Sequence, residues 1–456
     1  MKHNFKTKAL ALVVAPALSI PVQAQIEEII VTATRRAETQ QSVPISITAL
    51  SADRLAKAGM DGVRDLAMVT PGLNMEMRSN VFIPYIRGIG AQDTSGGQEA
   101  SVAIYIDGVY QSSSHAGALS FNNIDRVEVL KGPQGTLFGR NATGGLIHVI
   151  TKDPTQETEV FGKVGYGNYD TWRGQLYIGG GITDNLAADI ALNYLTQGEG
   201  WGKNLHNGHD TPTDYNEGIR TKWVWTGEET KVTFSADWQN NETGQGDMRI
   251  FQPGSVGANG HVHTGGFYDI EHNWPGGNNI PPNIPNGDSP VATSYVKNWG
   301  LTLKVDHQMS WADFVSITAH RELEQFNTFD NDGLPISLVD AQQDVNETET
   351  FTQEFQLMSN GEGRLDWIVG AFFLDDTSGY GGPNGLTLIG DHIIPIPGAM
   401  VSFLNPIETQ SMAAFAEVTY DFTEATSLTV GARLTRETKE ITGKQRIYFP
   451  PGVFGP

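Results

Sequence analysis

From about residue 154 onward, the chain alternates apolar and polar residues with a period of two over unusually long segments. Ile190 and Tyr194, for example, fall on one face of an extended chain, and Asp189 falls on the other. Successive side chains of a β-strand point to opposite faces, so this pattern predicts strands that each have one apolar face. About eleven such strands fit between positions 157 and 439. Several exceed ten residues, whereas strands of globular proteins are usually about 5–6 residues long.

Two arrangements of these strands are possible, a soluble β-sandwich and a transmembrane β-barrel. Short turns such as Thr183-Asp184 and Thr423-Glu424 alternate with long polar segments, of which 240–290 is the largest. This alternation is typical of outer-membrane barrels, which also carry aromatic girdles near their strand ends. Aromatic residues near predicted strand ends include Tyr194, Trp223, Trp225 and Tyr420. The pattern therefore favours an antiparallel transmembrane β-barrel.

Residues 1–24 have the pattern of a cleavable export signal. Lys2, Lys6 and Lys8 precede a short apolar run, and Ala24 ends a small-residue cleavage motif. The alternative is a membrane anchor, but the run is shorter than the roughly 20 residues that a spanning helix needs. We therefore expect export by the Sec pathway.

Composition excludes some classes of function. The formal net charge is −22, and no basic stripe is present that could meet the phosphates of a nucleic acid. The chain has no cysteine, so no disulfide can hold it together. No nucleic-acid partner is expected.

The region between the export signal and the long strands divides into two parts. Residues 25–40 lack a core-forming pattern and are expected to form a mobile tether. Residues 41–153 show the pattern of a small α/β domain, with Lys152-Asp153-Pro154 as a boundary to the partial barrel of 154–456. The predicted helices are 51–59 and 62–69, and the predicted strands are 82–87, 102–106, 126–130 and 145–151.

A glycine-rich run, 132–145, follows the third predicted strand of this small domain. It is not a phosphate-binding loop, because no Lys-Ser/Thr pair follows at the required spacing. The glycines are better explained by tight turns and by close approach of strands. No arrangement of nucleophile, base or paired carboxylates stands out, so an enzyme is not expected.

Metal binding also lacks a strong pattern. His261 and His263 would lie on one face of a strand and are possible ligands, although loop histidines are more often solvated. Asp330-Asn-Asp-Gly333 resembles the start of a calcium loop but lacks its remaining ligands. We expect no metal and no cofactor.

Taken together, these segments resemble the TonB-dependent receptors of the Gram-negative outer membrane. The resemblance is carried by residues 27–32, 69–73, 86–90, 103–109, 124–135, 137–145 and 147–152. It implies a TonB box, a plug domain and a 22-strand barrel with a plugged lumen, located in the cell outer membrane and in contact with its lipid. It also implies force from TonB, with ExbB and ExbD, on the N-terminal tether.

The tether is the segment that would bind TonB. An extended segment can add as a strand to the sheet edge of a partner. The alternative is that it is only the disordered start of the mature protein. The implied TonB-binding residues are Glu27, Glu28, Ile29, Ile30, Val31 and Thr32.

About eleven strands are half of the number that the resemblance implies. An open half-barrel would leave two strand edges in hydrocarbon, where each unsatisfied backbone group costs several kcal/mol. The chain is therefore expected to be the N-terminal portion of a longer receptor, either a partial record or a truncated gene. Closure of one barrel by two copies is a less favoured alternative.

Contacts between plug and barrel are expected at two arginines. Arg87 and Arg140 would each be a costly charge inside a packed plug without a carboxylate partner. By the alternation, Glu354 and Glu417 face inward and are possible partners. Local salt bridges within the plug are the alternative.

The function implied by the resemblance is energy-coupled uptake of a scarce solute. The expected solute is a ferric siderophore or other iron chelate, and an oligosaccharide or a cobalamin-type nutrient is the alternative. A non-transporting adhesin is a second alternative, of a different class. Ligand contacts are expected at the plug apices, with Gln92, Asp93, Gln111 and His115 as candidates.

Overall fold

The computed structural model describes most of the chain between positions 29 and 449. The described residues are 29–32, 34–36, 38–60, 62–78, 81–91, 99–113, 123–205, 208–211, 213–244, 262, 293–329, 341–361, 363–381, 385–389, 400–423 and 425–449. Among them, no helix has the length and apolar character that are needed to cross a bilayer.

The first part of the chain forms a small mixed domain, here called the plug, together with the segment that precedes it. Its elements are β1 (Ile30–Val31), β2 (Glu38–Thr39), β3 (Ile47–Ser51), α1 (Ala52–Lys57), a 3-10 helix (Val63–Met68), β4 (Leu73–Arg78), β5 (Val81–Ile86), β6 (Val102–Ile106), β7 (Val109–Gln111), β8 (Ile124–Lys131) and β9 (Gly145–Thr151).

The second part is almost entirely strand. Its elements are β10 (Glu159–Gly167), β11 (Thr171–Thr183), β12 (Leu186–Gln197), β13 (Gly202–Lys203), β14 (Asp210–Thr211), β15 (Asp214–Thr226), β16 (Thr230–Gly244), β17 (Thr293–Gln308), β18 (Ala312–Phe329), β19 (Ala341–Ser359), β20 (Leu365–Ser378), β21 (Leu386–Ile389), β22 (Met400–Leu404), β23 (Ile407–Thr423), β24 (Thr426–Ile441) and β25 (Lys444–Tyr448).

The plug is built on a five-stranded sheet with the order β3-β8-β9-β6-β7. The β6–β9 pair is parallel, and the other pairs are antiparallel. Helix α1 begins after Ser51, whose hydroxyl accepts a hydrogen bond from the backbone N–H of Arg54. Such a cap satisfies one of the free N–H groups at a helix start. The helix buries Leu55 in an apolar core that includes Leu66 and Ile147.

The long strands form one antiparallel sheet. Its main path contains eleven strands, in the order β10-β11-β12-β15-β16-β17-β18-β19-β20-β23-β24. The predicted number of strands is therefore confirmed, and so is the alternation. Asp189 is 5% exposed on the face that contacts the plug, while Tyr194 is 46% exposed on the opposite face. These two faces are called inward and outward below.

The two ends of this sheet differ. The turns from β11 to β12, β15 to β16, β17 to β18, β19 to β20 and β23 to β24 are short and lie at one end, the short-turn end. Much longer connections join β12 to β15 and β16 to β17 at the other end, the long-loop end. An outer-membrane barrel has short turns on its periplasmic side and longer loops outside.

The plug contacts the inward face in two different ways. Against β19, β20 and β23 the contact is apolar, because Tyr105 and Phe138 of the plug share one buried cluster with Ile368, Leu374 and Phe415. Against β12 and β15 the contact is polar. There Asn123 Nδ2 donates to Asp189 Oδ2 at 3.1 Å, and Arg220 Nη2 donates to the Asn123 carbonyl at 3.1 Å. The plug is thus packed on one sector of the sheet and hydrogen bonded to another.

Candidate functional site

The segment before the plug, of which the structure describes residues 29–32 and 34–36, contacts both the plug and the sheet and is here called the docked segment. Ile30 and Val31 pair with Thr39 and Glu38 to form a two-stranded sheet, and Val31 is fully buried. Val31 belongs to the same apolar cluster as Tyr105 of the plug. The prediction of a mobile tether without core contacts is therefore wrong for the described residues. The physical reason is that one buried valine and a strand pair dock the segment, which is too short to show a core pattern.

Glu128 of β8 holds the end of this docked segment. Its carboxylate accepts the Thr32 backbone N–H at 2.9 and 3.0 Å and the Thr32 hydroxyl at 3.2 Å. Arg126 Nε donates to the same carboxylate at 2.8 Å. Burial raises the pKa of Glu128 above its ordinary value, although Arg126 and the Thr32 donors act in the other direction. Thr32 is thus attached to a carboxylate that has no exposed surface.

His148 of β9 lies beside this carboxylate. Its Nε2 accepts the Gly108 N–H at 3.0 Å, so the ring proton belongs on Nδ1, which faces the Thr32 hydroxyl at 3.5 Å. Burial, followed by the charge of Arg35, lowers the pKa of His148 to about 3. The imidazole is therefore neutral at physiological pH, and it links the docked segment to the β6–β7 turn.

Arg35 connects the docked segment to both the plug and the sheet. Its Nη2 lies 3.2 Å from Glu354 of β19, and both side chains are 6% exposed. Its guanidinium also lies over the rings of Phe138 and Tyr105, at 4.3 and 5.3 Å from their centroids. A cation over an aromatic face is attracted by the ring quadrupole. Arg35 is therefore a contact point between three parts of the molecule.

Arg36 binds the sheet at its short-turn end. It donates to Asp366 Oδ1 at 2.8 Å, to Ser359 Oγ at 2.9 Å and to the Trp367 carbonyl at 2.5 Å. These acceptors flank the turn between β19 and β20. Neither Arg35 nor Arg36 was predicted as a site residue. The available signal was a pair of arginines shortly after residues 27–32 in a strongly acidic chain.

Arg140 carries a second contact between plug and sheet. It pairs with Glu99 of the plug through Nη2 and lies 3.2 Å from Glu437 Oε2 of β24 through Nη1. Lys439 of β24 binds Glu99 in turn at 2.5 Å. Burial alone would raise the pKa of Glu99, but Lys439 and Arg140 outweigh it and lower that pKa. Arg140 thus has both a local partner and a sheet partner, and neither is Glu354 or Glu417.

Arg87 does not have the partner that was expected of it. It sits in a turn with φ of 52°, its side chain is exposed, and its Nη2 donates to Ser46 Oγ at 2.9 Å. The expected pairing with Glu354 or Glu417 is therefore corrected, because an exposed guanidinium needs no buried carboxylate. Glu417 lies on the inward face of β23, where the nearby charges are those of Glu38 and Arg36.

A lysine of β15 binds the plug on the opposite sector of the sheet. Lys222 Nζ lies 3.4 Å from Asp107 and 2.8 Å from Asp153, and it donates to the Thr151 carbonyl at 3.1 Å. Lys231 reaches Asp153 at 2.6 Å. Burial would raise the pKa of Asp153, but Lys222 and Lys231 lower it to about 2. These ion pairs fix the start of the sheet to the plug.

The structure describes only one of the four predicted ligand-binding residues. Gln92, Asp93 and His115 lie outside the described residues. Gln111 is 5% exposed on β7, and its Nε2 donates to the Val109 carbonyl at 3.2 Å. It is therefore buried in the plug sheet instead of being presented to a ligand at an apex. Of the implied TonB-binding residues, Glu27 and Glu28 also lie outside the described part.

One cluster of possible metal ligands occurs within the described part of the chain. Ligand atoms of His320, Glu322 and Glu349 lie within 4.8 Å of one another on the outward face. Glu322 already accepts hydrogen bonds from Trp299 Nε1 and contacts His320 Nε2, each at 3.2 Å. His261 and His263 lie outside the described residues.

Comparison with known proteins gives the family of one domain. Residues 39–146 match the family model described as TonB-dependent Receptor Plug Domain. This part of the chain is a TonB-dependent receptor plug domain. The plug and the eleven-stranded sheet are the α/β domain and incomplete barrel that the sequence predicts, and the family of this plug domain consists of receptors and transporters, not enzymes.

Two curated relatives are similar to this chain over part of their length. The pesticin receptor of Yersinia pestis is 32% identical over 181 residues, which cover 39% of this chain and 27% of the relative. The ferripyoverdine receptor of Pseudomonas aeruginosa is 30% identical over 166 residues, which cover 34% and 19%. The chain thus spans about a quarter of the length of the curated relatives it matches.

A solved structure extends the likeness of the fold to most of the chain. The ferric yersiniabactin uptake receptor of Yersinia pestis superposes with a TM-score of 0.70 at 19% identity. The match covers 88% of this chain and 61% of that chain. The shared fold includes the sheet as well as the plug.

Proposed function

We propose that the full-length protein is an energy-coupled receptor of the Gram-negative outer membrane that binds a scarce solute and moves it into the periplasm. Residues 1–24 would be its export signal, 25–40 its TonB-box tether, 41–153 its plug and 154–456 the first part of its barrel. TonB, driven through ExbB and ExbD, would pull on the tether, and outer-membrane lipid would surround the outward face.

The observation that supports this proposal most directly is the position of the docked segment. Arg36 holds its end at the short-turn end of the sheet, Thr32 connects it to the plug, and Arg35 contacts both the plug and the sheet. A force on residues 27–31 would therefore act first on the Thr32–Glu128 hydrogen bonds. It would then act on the Arg35 contacts with Tyr105 and Phe138, which lie in the plug core.

The proposed solute is a ferric siderophore or other iron chelate. The support comes from what similar proteins are named for, namely ferripyoverdine and ferric yersiniabactin. An oligosaccharide or a cobalamin-type nutrient is the alternative within the same mechanism. A non-transporting adhesin is less well supported, because adhesion gives no reason for a docked segment that bridges plug and sheet.

Deletion of residues 27–32 from the full-length gene tests the proposal. We expect gene-dependent growth on iron chelates to be abolished, while binding of the same radiolabelled chelate to outer membranes stays within about twofold of wild type. Collapse of the proton gradient in wild-type cells is the matched control and should give the same phenotype. Uptake that is unchanged by the deletion would contradict energised transport, and binding without any uptake in wild type would favour the adhesin.

A further inference from the structure

Part of the inward wall is free of charged residues although the chain as a whole is strongly acidic. Residues that are paired on neighbouring strands form rows across the sheet. Two adjacent rows of this kind cross β12, β15, β16, β17 and β18, on the long-loop side of the plug contacts. Four of their ten positions are apolar or glycine, and the other six are carboxamides. These six, here called the amide rows, are Asn193, Asn216, Gln239, Asn241, Asn298 and Gln325. The next row toward the plug is charged and contains Arg220, Asp237 and Arg321.

Most of the amide rows form an ordered ladder. Asn193 Nδ2 donates to Asn216 Oδ1, Asn216 Nδ2 donates to Asn241 Oδ1, and Gln239 Nε2 reaches Asn241 Oδ1 at 3.4 Å. Gly218 leaves room for this ladder, because a Cβ atom there would lie 2.6 Å from Asn193 Oδ1. The amide dipoles are therefore held in place before any solute arrives.

Asn298 is different from the other members. Its residue is 4% exposed, and neither its Oδ1 nor its Nδ2 has a hydrogen-bond partner within the described structure. Ser294, on the same face of β17, is fully buried, and its hydroxyl is also unpartnered. A buried polar group without a partner costs about 1–3 kcal/mol. Such a group is satisfied when a solute that reaches it supplies both an acceptor and a donor.

A cavity adjoins the same sector. It has a volume of about 70 Å³ and lies between Asp107 and Ile124 of the plug and Asn193 and Gln239 of the wall. On the opposite sector, the plug is packed against β20 and β23 by apolar side chains. Plug and wall therefore leave a small gap beside the amide rows.

We propose that the amide rows form a subsite on the inward wall for a neutral solute that carries hydroxyl or amide groups. Asn298, whose side chain has no hydrogen-bond partner within the described structure, would bind this solute directly. Carboxamides offer donors and acceptors without net charge, which matches such groups. An anionic solute would lose water there without gaining a cation. This inference rests on the proposed function, and it narrows the solute to neutral chelates or other neutral polyhydroxylated or amide-rich molecules.

The test uses Asn298→Leu in the full-length protein in cells. Removal of an unpartnered buried amide should leave folding unchanged or improve it, so a loss of uptake cannot be ascribed to misfolding. Asn240→Leu is the matched control, because Asn240 lies on the neighbouring strand, is 8% exposed and has an unpartnered Oδ1, but belongs to the outward face. Three probes are used: a neutral ferric trihydroxamate, a trianionic ferric tricatecholate and a neutral oligosaccharide.

We expect gene-dependent uptake of a neutral probe. Asn298→Leu should raise its half-saturating concentration about threefold to tenfold, as for the loss of one or two hydrogen bonds, whereas Asn240→Leu should leave it within twofold. An unchanged value for Asn298→Leu, equal effects of the two variants, or energised uptake of the anionic probe alone would overturn the subsite and leave the proposed function standing. Absence of energised uptake of all three probes would contradict the proposed function as well.

Discussion

Two polar side chains of the plug sheet hold the docked segment. Glu128 of β8 accepts the backbone N–H and the hydroxyl of Thr32, and His148 of β9 faces the same hydroxyl. Thr32 lies 96 positions from Glu128 and 116 positions from His148. These contacts therefore depend on the fold of the whole plug and not on neighbours along the chain.

The Glu128 carboxylate is expected to control release of the docked segment. In a Val31→Cys background of this otherwise cysteine-free chain, Glu128→Ala leaves the Thr32 N–H and the Arg126 Nε–H without their acceptor. Hydrogen bonds to charged groups contribute about 1.5–3 kcal/mol, so labelling of the introduced thiol by a thiol reagent should speed up at least tenfold. Exposed Glu157→Ala is the control and should change nothing. An unchanged rate for Glu128→Ala would show that Thr32 is not held there.

Glu128→Gln tests the pH dependence of plug stability. The pKa of Glu128 is raised in the folded protein, so the free energy of unfolding of the plug is highest below the ordinary carboxyl pKa of 4.5 and falls as the pH rises through the folded value. Glutamine keeps an acceptor but does not ionise. Protease resistance of the plug should therefore fall less with rising pH in Glu128→Gln than in the wild-type protein, and the same pH dependence in both would contradict this.

At the level of elements, the sequence was informative because strand periodicity is local. The number of strands in the main sheet was predicted, and the plug strands β5, β6, β8 and β9 lie close to their predicted bounds. Both residues of the Asp107-Gly108 turn after β6 have positive φ. The contacts of Asp107 were not predicted: its carboxylate accepts hydrogen bonds from Thr151 and lies 3.4 Å from Lys222, which only the assembled sheet brings near.

The glycine-rich run owes its composition to close strand approach, and Gly145 is its strictest position. Its φ is 139°, and a Cβ atom there would lie 2.1 Å from the Leu130 carbonyl oxygen. Gly145→Ala should cost more than about 3 kcal/mol, since a strained φ and a backbone clash combine. Protease resistance of the plug in isolated outer membranes would fall sharply. Gly443→Ala, where a Cβ meets nothing within 4 Å, is the control. Equal resistance of the two variants would contradict this role.

For the whole molecule, the main feature is a plug held against the inward face of a sheet by contacts of two kinds. The sequence indicated both parts, but it did not indicate that Arg35 would pair with Glu354 across 319 positions or that Arg140 would choose Glu437. Buried ion pairs cost desolvation and need not add net stability. In the proposed function these contacts must open, and an ion pair can break without exposing apolar surface.

The plug lies against the inward face of the sheet, and in the proposed function it must move during uptake. Ser112 of the plug and Thr350 of β19 are joined by a hydroxyl hydrogen bond of 2.6 Å, so cysteines at both positions are close enough for a disulfide. In the full-length protein, mild oxidation of Ser112→Cys/Thr350→Cys should form this cross-link and stop energised uptake of the chelate that supports growth. A reductant should restore it, and each single variant should be unaffected. Failure to cross-link, or wild-type uptake by the cross-linked protein, would contradict the account.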